Sequence, residues 1–340
     1  MFYSISAFRF LLAIQVAVYH LWREIAPDAG RVAVAGFFLI SGYLIGYILN
    51  EVYRERIGDF LKNRVLRIYP LYLFSVLMGL IAIYFYPEES QLINKSHLIP
   101  SSFKEWFSNI SIFGLYGDKV RIIAPAWSLN TEIIFYLAFP LIAFLSKKYQ
   151  VNLFKLSILI SAFAILKLLP FGFYGHYLGS ASIFIGGYLL FSFKLPKQLI
   201  SKKVLVLSFI AYLFFSLIVP LILDEYLNGN HRVLNRINIL LAMLPCALFL
   251  KLTSHFDIRV IQVQKIAVFL GNLSYPIFLL HQICAIFYVV MMGDENWSRI
   301  SGEGFWVTMI LTIFVSIIGV YCIEAPIKSI RASIREKRLA

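Results

Sequence analysis

The sequence predicts an all-α fold: a polytopic transmembrane helical bundle of about ten spans with both termini cytoplasmic. Three observations predict it. Of 340 residues, 60% are hydrophobic and 14% charged, against ~25% charged in an ordinary soluble domain. One apolar run after another reaches the ~20 residues that cross a bilayer. Lys and Arg gather in alternate short connections, as the positive-inside bias requires.

The spans fall at about 4–22, 32–50, 68–86, 126–146, 153–170, 177–193, 204–223, 237–253, 266–292 and 304–323. The first begins almost at Met1 without a small-residue cleavage pattern and reads as a retained helix. The longest connection, 87–125, has a length usually reserved for function. Within it Ser102–Leu115 has the pattern of an amphipathic surface helix. With the N-terminus inside, about 21 of the 31 Lys and Arg residues lie on the inner side, and most acidic residues lie outside.

The net charge of +13 does not indicate nucleic acid, because the cations are spread over loops and the tail rather than one soluble face. No phosphate-binding glycine loop and no CxxC spacing occur. No metal and no permanently bound cofactor is therefore expected. Cys246, Cys284 and Cys322 sit in apolar stretches and read as small buried hydrophobes. His97, His176, His231 and His255 fall in loops or at span ends and read as ordinary polar residues.

Ionisable residues inside spans are costly and mark function. Arg9 and His20 are eleven residues apart, which returns to nearly the same helix face after a rise of ~16 Å. Arg64 and Arg67 share a face at the mouth of the third span, and paired guanidiniums suit phosphates. The alternative for both pairs is simple anchoring at the membrane edge. Glu132 follows Pro125-Ala126-Trp127-Ser128-Leu129 in an apolar run and needs a partner, for which His20 and His281 are candidates. Gly271, Asn272, Ser274 and Pro276 break the ninth span, with His281 beyond them. By depth, Arg9, Arg64, Arg67 and Glu324 form an inner set, and His20, Glu132 and His281 an outer one.

These segments in this order resemble acyltransferase family 3, membrane acyltransferases of surface polysaccharides. The matching pieces are Arg9-x10-His20, Gly36-Phe37-Phe38-Leu39-Ile40-Ser41-Gly42-Tyr43-Leu44-Ile45, Arg64-x-x-Arg67-Ile68-Tyr69-Pro70, Trp127-Ser128-Leu129 with Glu132 and Phe135-Tyr136-Leu137, Ser274-Tyr275-Pro276 with His281, and Glu324-x-Pro326. The usual Asp before the paired phenylalanines is missing, and only one acid follows Trp-Ser-Leu. The resemblance implies a transmembrane acyltransferase domain over 1–326 and a basic cytoplasmic tail over 327–340, of the stand-alone type without an esterase-like domain.

It further implies acyl transfer in a bacterial-type inner membrane. The donor would be cytoplasmic acyl-CoA, most often acetyl-CoA, and the acceptor a hydroxyl of a cell-surface or lipid-linked glycan. His20 would be the base, Arg9 the oxyanion donor, and Glu132 a partner of a histidine or of the acceptor. Arg64, Arg67 and Arg9 would hold CoA, and Trp127, Ser128, Tyr275, His281 and Glu324 the substrates. The rival expectation is a transporter or flippase of lipid-linked glycans, which a broken ninth helix and about ten spans would also suit.

Overall fold

A computed structural model describes residues 3–53, 56–115, 119–149, 177–226, 231–256, 258–293 and 302–336, with positions 152, 155, 158, 159 and 162. Most of the expected fifth span, 153–170, and His176 lie outside the described residues.

The described residues form helices joined by turns and loops, without strands. In chain order the helices are α1 (Tyr3–Leu21), α2 (Ala29–Tyr47), α3 (Ile57–Phe85), α4 (Pro87–Ile93), α5 (Phe103–Ser111), α6 (Trp127–Tyr149) and α7 (Tyr177–Ser192). They continue as α8 (Lys202–Leu213), α9 (Val219–Tyr226), α10 (His231–Thr253), α11 (Ile261–Met292), α12 (Gly302–Gly319) and α13 (Ala325–Glu336). Among the described residues, six stretches are long and apolar enough to cross a membrane: Tyr3–Leu21, Ala29–Tyr53, Ile57–Phe85, Lys202–Ile222, Ile261–Met292 and Gly304–Glu336. The apolar parts of α7 and α10 are shorter, Ser180–Ser192 and Ile237–Thr253.

The outer faces explain the composition. On α3, Leu73, Leu77, Ile81 and Tyr84 recur every three or four residues and all face outward. On α12, Ile310, Phe314 and Ile318 do the same, with Ile310 69% exposed. Apolar faces this continuous suit lipid rather than water. Cys322, expected to be buried, is exposed, whereas Cys246 and Cys284 are buried. It follows the outward face of α12 beside the exposed Tyr321, where hydrophobicity does not require burial.

Glycines set the central crossings. A Cβ on Gly42 would stand 2.1 Å from the Phe184 carbonyl oxygen, and one on Gly187 would stand 2.2 Å from that of Leu39. The α2 and α7 backbones therefore touch reciprocally, as small residues permit. Gly271 does the same for α11, where a Cβ would meet Ser6 of α1 at 2.6 Å.

That contact corrects the expected break in the ninth span, because α11 runs unbroken through Gly271 and Pro276. Ser274 Oγ donates to the Gly271 carbonyl at 2.8 Å, and the Tyr275 hydroxyl donates to the Ile68 carbonyl at 2.9 Å. The helix is continuous there, and Gly271 serves close packing against α1. The third span also starts earlier than expected, at Ile57. Residues 62–67 are mostly good helix formers, and charged ones extend a helix beyond its apolar part. An Arg56–Asp59 ion pair of 3.1 Å stands at its start.

The long connection is tied to the bundle. A capping box of Ser102 and Glu105 starts α5. Asn109 Nδ2 donates to the Val120 carbonyl at 3.0 Å, and its Oδ1 accepts from the Ile122 amide at 2.8 Å. Tyr72 donates to the Asn109 carbonyl at 2.5 Å. One buried amide thus closes a loop that would otherwise leave backbone groups unsatisfied.

Candidate active site

The α1–α11 seam carries the site. At the end of the bundle next to α13 opens a cavity of about 640 Å³. Its lining includes Arg9, Arg67, Lys265, Lys328, Arg331 and Arg335, with Glu324 as the one carboxylate. This volume is within the usual range for small-molecule sites, about 300–1,000 Å³. Six cations around one acid repel one another unless an anion joins them.

Arg9 and Tyr275 belong also to a second, smaller cavity of about 50 Å³. Its walls include Phe37, Phe38, Ser41, Ser128, Glu132, Ser274 and Phe278. Glu132 Oε1 accepts from Ser41 Oγ at 2.9 Å and from the Tyr136 hydroxyl. The Arg64 guanidinium lies 5.1 Å from the centre of the Tyr136 ring and 5.3 Å from that of Phe60. The order Arg64, Tyr136, Glu132, cavity, Arg9 makes a fixed alternation of charge across the seam.

His281 lies on α11 three residues beyond Phe278, a rise of ~4.5 Å. Its ring lies edge to edge with that of His20, the centroids 5.1 Å apart and the planes 11° from parallel. His281 Nδ1 is 3.0 Å from the Ile277 carbonyl, and its Nε2 is 2.9 Å from His20 Nδ1. A carbonyl only accepts, so His281 Nδ1 carries the proton and neutral Nε2 offers a lone pair. His20 Nδ1 then donates to it, which puts the lone pair of a neutral His20 on Nε2. The pair defines one tautomer, the one suited to a base.

The 87–125 connection reaches this end of the seam. Asn94 Nδ2 donates to Gln282 Oε1 at 3.3 Å. His97 is 1% exposed, with Nδ1 3.2 Å from the Ser90 carbonyl. Burial, with a smaller contribution from the nearby His281, pulls its pKa down to about 4 against the opposing hydrogen bond to the Ser90 carbonyl. The expectation of an ordinary polar loop histidine is thus corrected: loop closure over α11 buries it. The side chain of His231 lies outside the described residues.

The structure brings Arg9, Glu132, Ser128 and Tyr275 together at the small cavity, and Arg9, Arg67, Tyr275 and Glu324 at the large one. Glu132 stands with Arg9 and not with the histidines, a correction of its expected depth. The α6 helix opens only at Trp127, after a 3-10 turn at Ala124–Ala126, and both hydroxyl partners hold the carboxylate toward α2. Arg64 and Arg67 part company. Arg67 lines the large cavity, whereas Arg64 is 8% exposed and packs against Phe60 and Tyr136. Trp127 is half-buried against the core and lines neither cavity. Ser41 was visible only as part of the Phe-Phe-Leu-Ile-Ser-Gly run. Tyr136 likewise shows only within the Phe135-Tyr136-Leu137 run, and His97, Lys265, Lys328, Arg331 and Arg335 carry no site signal in the sequence.

A family model described as an acyltransferase domain matches residues 2–325. The O-acetyltransferase OatA of Staphylococcus aureus is 25% identical over 96% of this chain and 57% of its own length. The chain therefore spans little more than half of that relative. The peptidoglycan O-acetyltransferase OatA of Listeria monocytogenes is 30% identical over 44% of this chain and 25% of its own. The acyltransferase MdmB of Streptomyces mycarofaciens is 28% identical over 36% and 31%. No solved structure matches the chain.

Proposed function

The chain belongs to acyltransferase family 3, and on that premise we propose that it is an integral membrane O-acetyltransferase acting on a cell-wall or other cell-surface glycan. The donor in this reading is acetyl-CoA, and both termini and the large basic cavity face the cytoplasm of a bacterial cell. The excess of Lys and Arg on that side supports the orientation.

The observation that carries the reading is the line of sites along one seam: basic cavity, Arg9, small cavity, histidine pair. It answers a difficulty of the α1 helix, whose Arg9 and His20 differ in height by ~16 Å. A pantetheine arm is long and thin, and it follows the seam from the basic cavity past Arg9. The nucleotide stays at the basic end while the thioester reaches the small cavity. A space of about 50 Å³ suits an acetyl group and little more.

His20 Nε2 takes the proton of the glycan hydroxyl as its oxygen attacks the thioester carbon. The Nδ1–H donated to His281 stabilises the imidazolium that results. Arg9 supplies positive charge to the tetrahedral oxyanion, and Glu132 faces it with opposite charge from another wall of the small cavity. The C–S bond then breaks, and the thiolate of CoA recovers the proton from His20. Transport of a lipid-linked glycan loses one of its supports, because α11 is unbroken.

The test compares CoA release from acetyl-CoA by wild type and His20→Ala, with and without a cell-wall glycan. The reading expects release that needs the glycan and falls at least ~100-fold in the variant. Retained release in a folded His20→Ala protein removes His20 from the role of base.

A further inference from the structure

Three of the six cations at the large cavity, Lys328, Arg331 and Arg335, come from α13, which begins where the matched domain ends at residue 325. The helix is docked rather than loose. Asn63 Nδ2 donates to the Arg331 carbonyl at 2.8 Å, and Arg331 Nε donates back to Asn63 Oδ1 at 3.2 Å. Arg56 adds a bond to the Arg335 carbonyl at 3.4 Å. The reciprocal amide–guanidinium clamp occupies only the Nε of Arg331, and its terminal nitrogens make no hydrogen bond among the described residues. Arg67, Lys265 and Lys328 likewise make neither a hydrogen bond nor an ion pair among the described residues.

Six cations gathered around a single carboxylate at a cavity are a site for a multiply charged anion, and planar guanidiniums favour phosphate. We propose that α13 is the phosphate clamp of the donor site, with Lys328, Arg331 and Arg335 joining Arg67 and Lys265 around the diphosphate and 3′-phosphate of a nucleotide thioester. The clamp rests on the acyl-CoA reading given above. Arg64, stacked on Phe60 and Tyr136, takes no part in it. Phosphate is also the chemistry of an anionic lipid headgroup. A nucleotide carries a terminal monoester and a diphosphate, whereas a lipid such as phosphatidylglycerol carries one diester, and so many cations suit the former.

The experiment is direct binding of CoA, 3′-dephospho-CoA and pantetheine to protein in phosphatidylcholine nanodiscs, with and without added phosphatidylglycerol. Lys328→Ala/Arg335→Ala leaves the Asn63 clamp intact, and Arg331→Lys keeps charge at the third position. Wild type is expected to bind in the order CoA, dephospho-CoA, pantetheine. The double variant should lose about tenfold in CoA affinity for each cation removed, with pantetheine unchanged, and Arg331→Lys should lose less than Arg331→Ala. Equal CoA affinity in wild type and double variant, or an equal loss for pantetheine, overturns the clamp while the donor reading stands. CoA binding that phosphatidylglycerol abolishes assigns the cations to lipid and overturns it too. No CoA binding at all in folded wild type removes the donor reading and the clamp together.

Discussion

Glu132, Arg64 and His97 each gain their meaning from neighbours remote in the chain. Glu132 is held by Ser41 of α2 and by Tyr136 one turn along α6. Arg64 braces that tyrosine through its ring face. His97 is buried neutral over α11 and has a pKa near 4, below the ordinary value of about 6.5. The unfolded chain therefore takes up the proton first as pH falls. The stabilisation is complete above ~6.5 and disappears between ~6.5 and about 4. It is on the order of 3 kcal/mol. Thermal unfolding of the detergent-solubilised protein should thus drop steeply from about pH 7 to pH 5. His97→Asn, which keeps a donor for the Ser90 carbonyl, should flatten that slope; an unchanged slope would assign the acid sensitivity elsewhere. Arg9, His20 and His281 stood out in the sequence because ionisable groups in apolar runs are rare. His97 and Tyr136 sent no such signal, since a loop histidine and a helix tyrosine are common until tertiary contacts bury them.

Helices were legible where an apolar run defined them, as in α1, α2 and α12. Their ends were less so, because the charged residues 57–67 of α3 continue a helix whose apolar part starts later. The Gly-Asn-Leu-Ser-Tyr-Pro run of α11 pointed to a break, yet the same small residues let α1 and α11 cross at Gly271 and Ser6. Sequence spacing does not separate these two uses of glycine; only the neighbour decides. The α2–α7 crossing makes this testable. Gly42→Ala would place a Cβ 2.1 Å from the Phe184 carbonyl oxygen, so the two backbones must part. A loss on the order of 1–3 kcal/mol is expected, read as a lower melting temperature in detergent. Gly58→Ala, where a Cβ meets nothing within 4 Å, should leave it unchanged. Equal melting of both variants would mean that the α2–α7 contact does not limit stability.

For the whole molecule, hydropathy and the order of motifs disclose the class and the family. They did not disclose that the small cavity and the large one share Arg9 and Tyr275, because that depends on how α1 and α11 cross. They also did not disclose α13 as part of the site, since a basic stretch after a last span is what topology alone would produce. In the proposed reading the seam joins a donor end to an acceptor end. The central claim is tested most directly by sidedness in proteoliposomes of uniform orientation, with acetyl-CoA on one side and glycan on the other. Transfer is predicted only when acetyl-CoA is on the side of the C-terminal helix, and it should vanish with His20→Ala. Equal transfer from either side, or transfer only with donor and glycan together on one side, would contradict it.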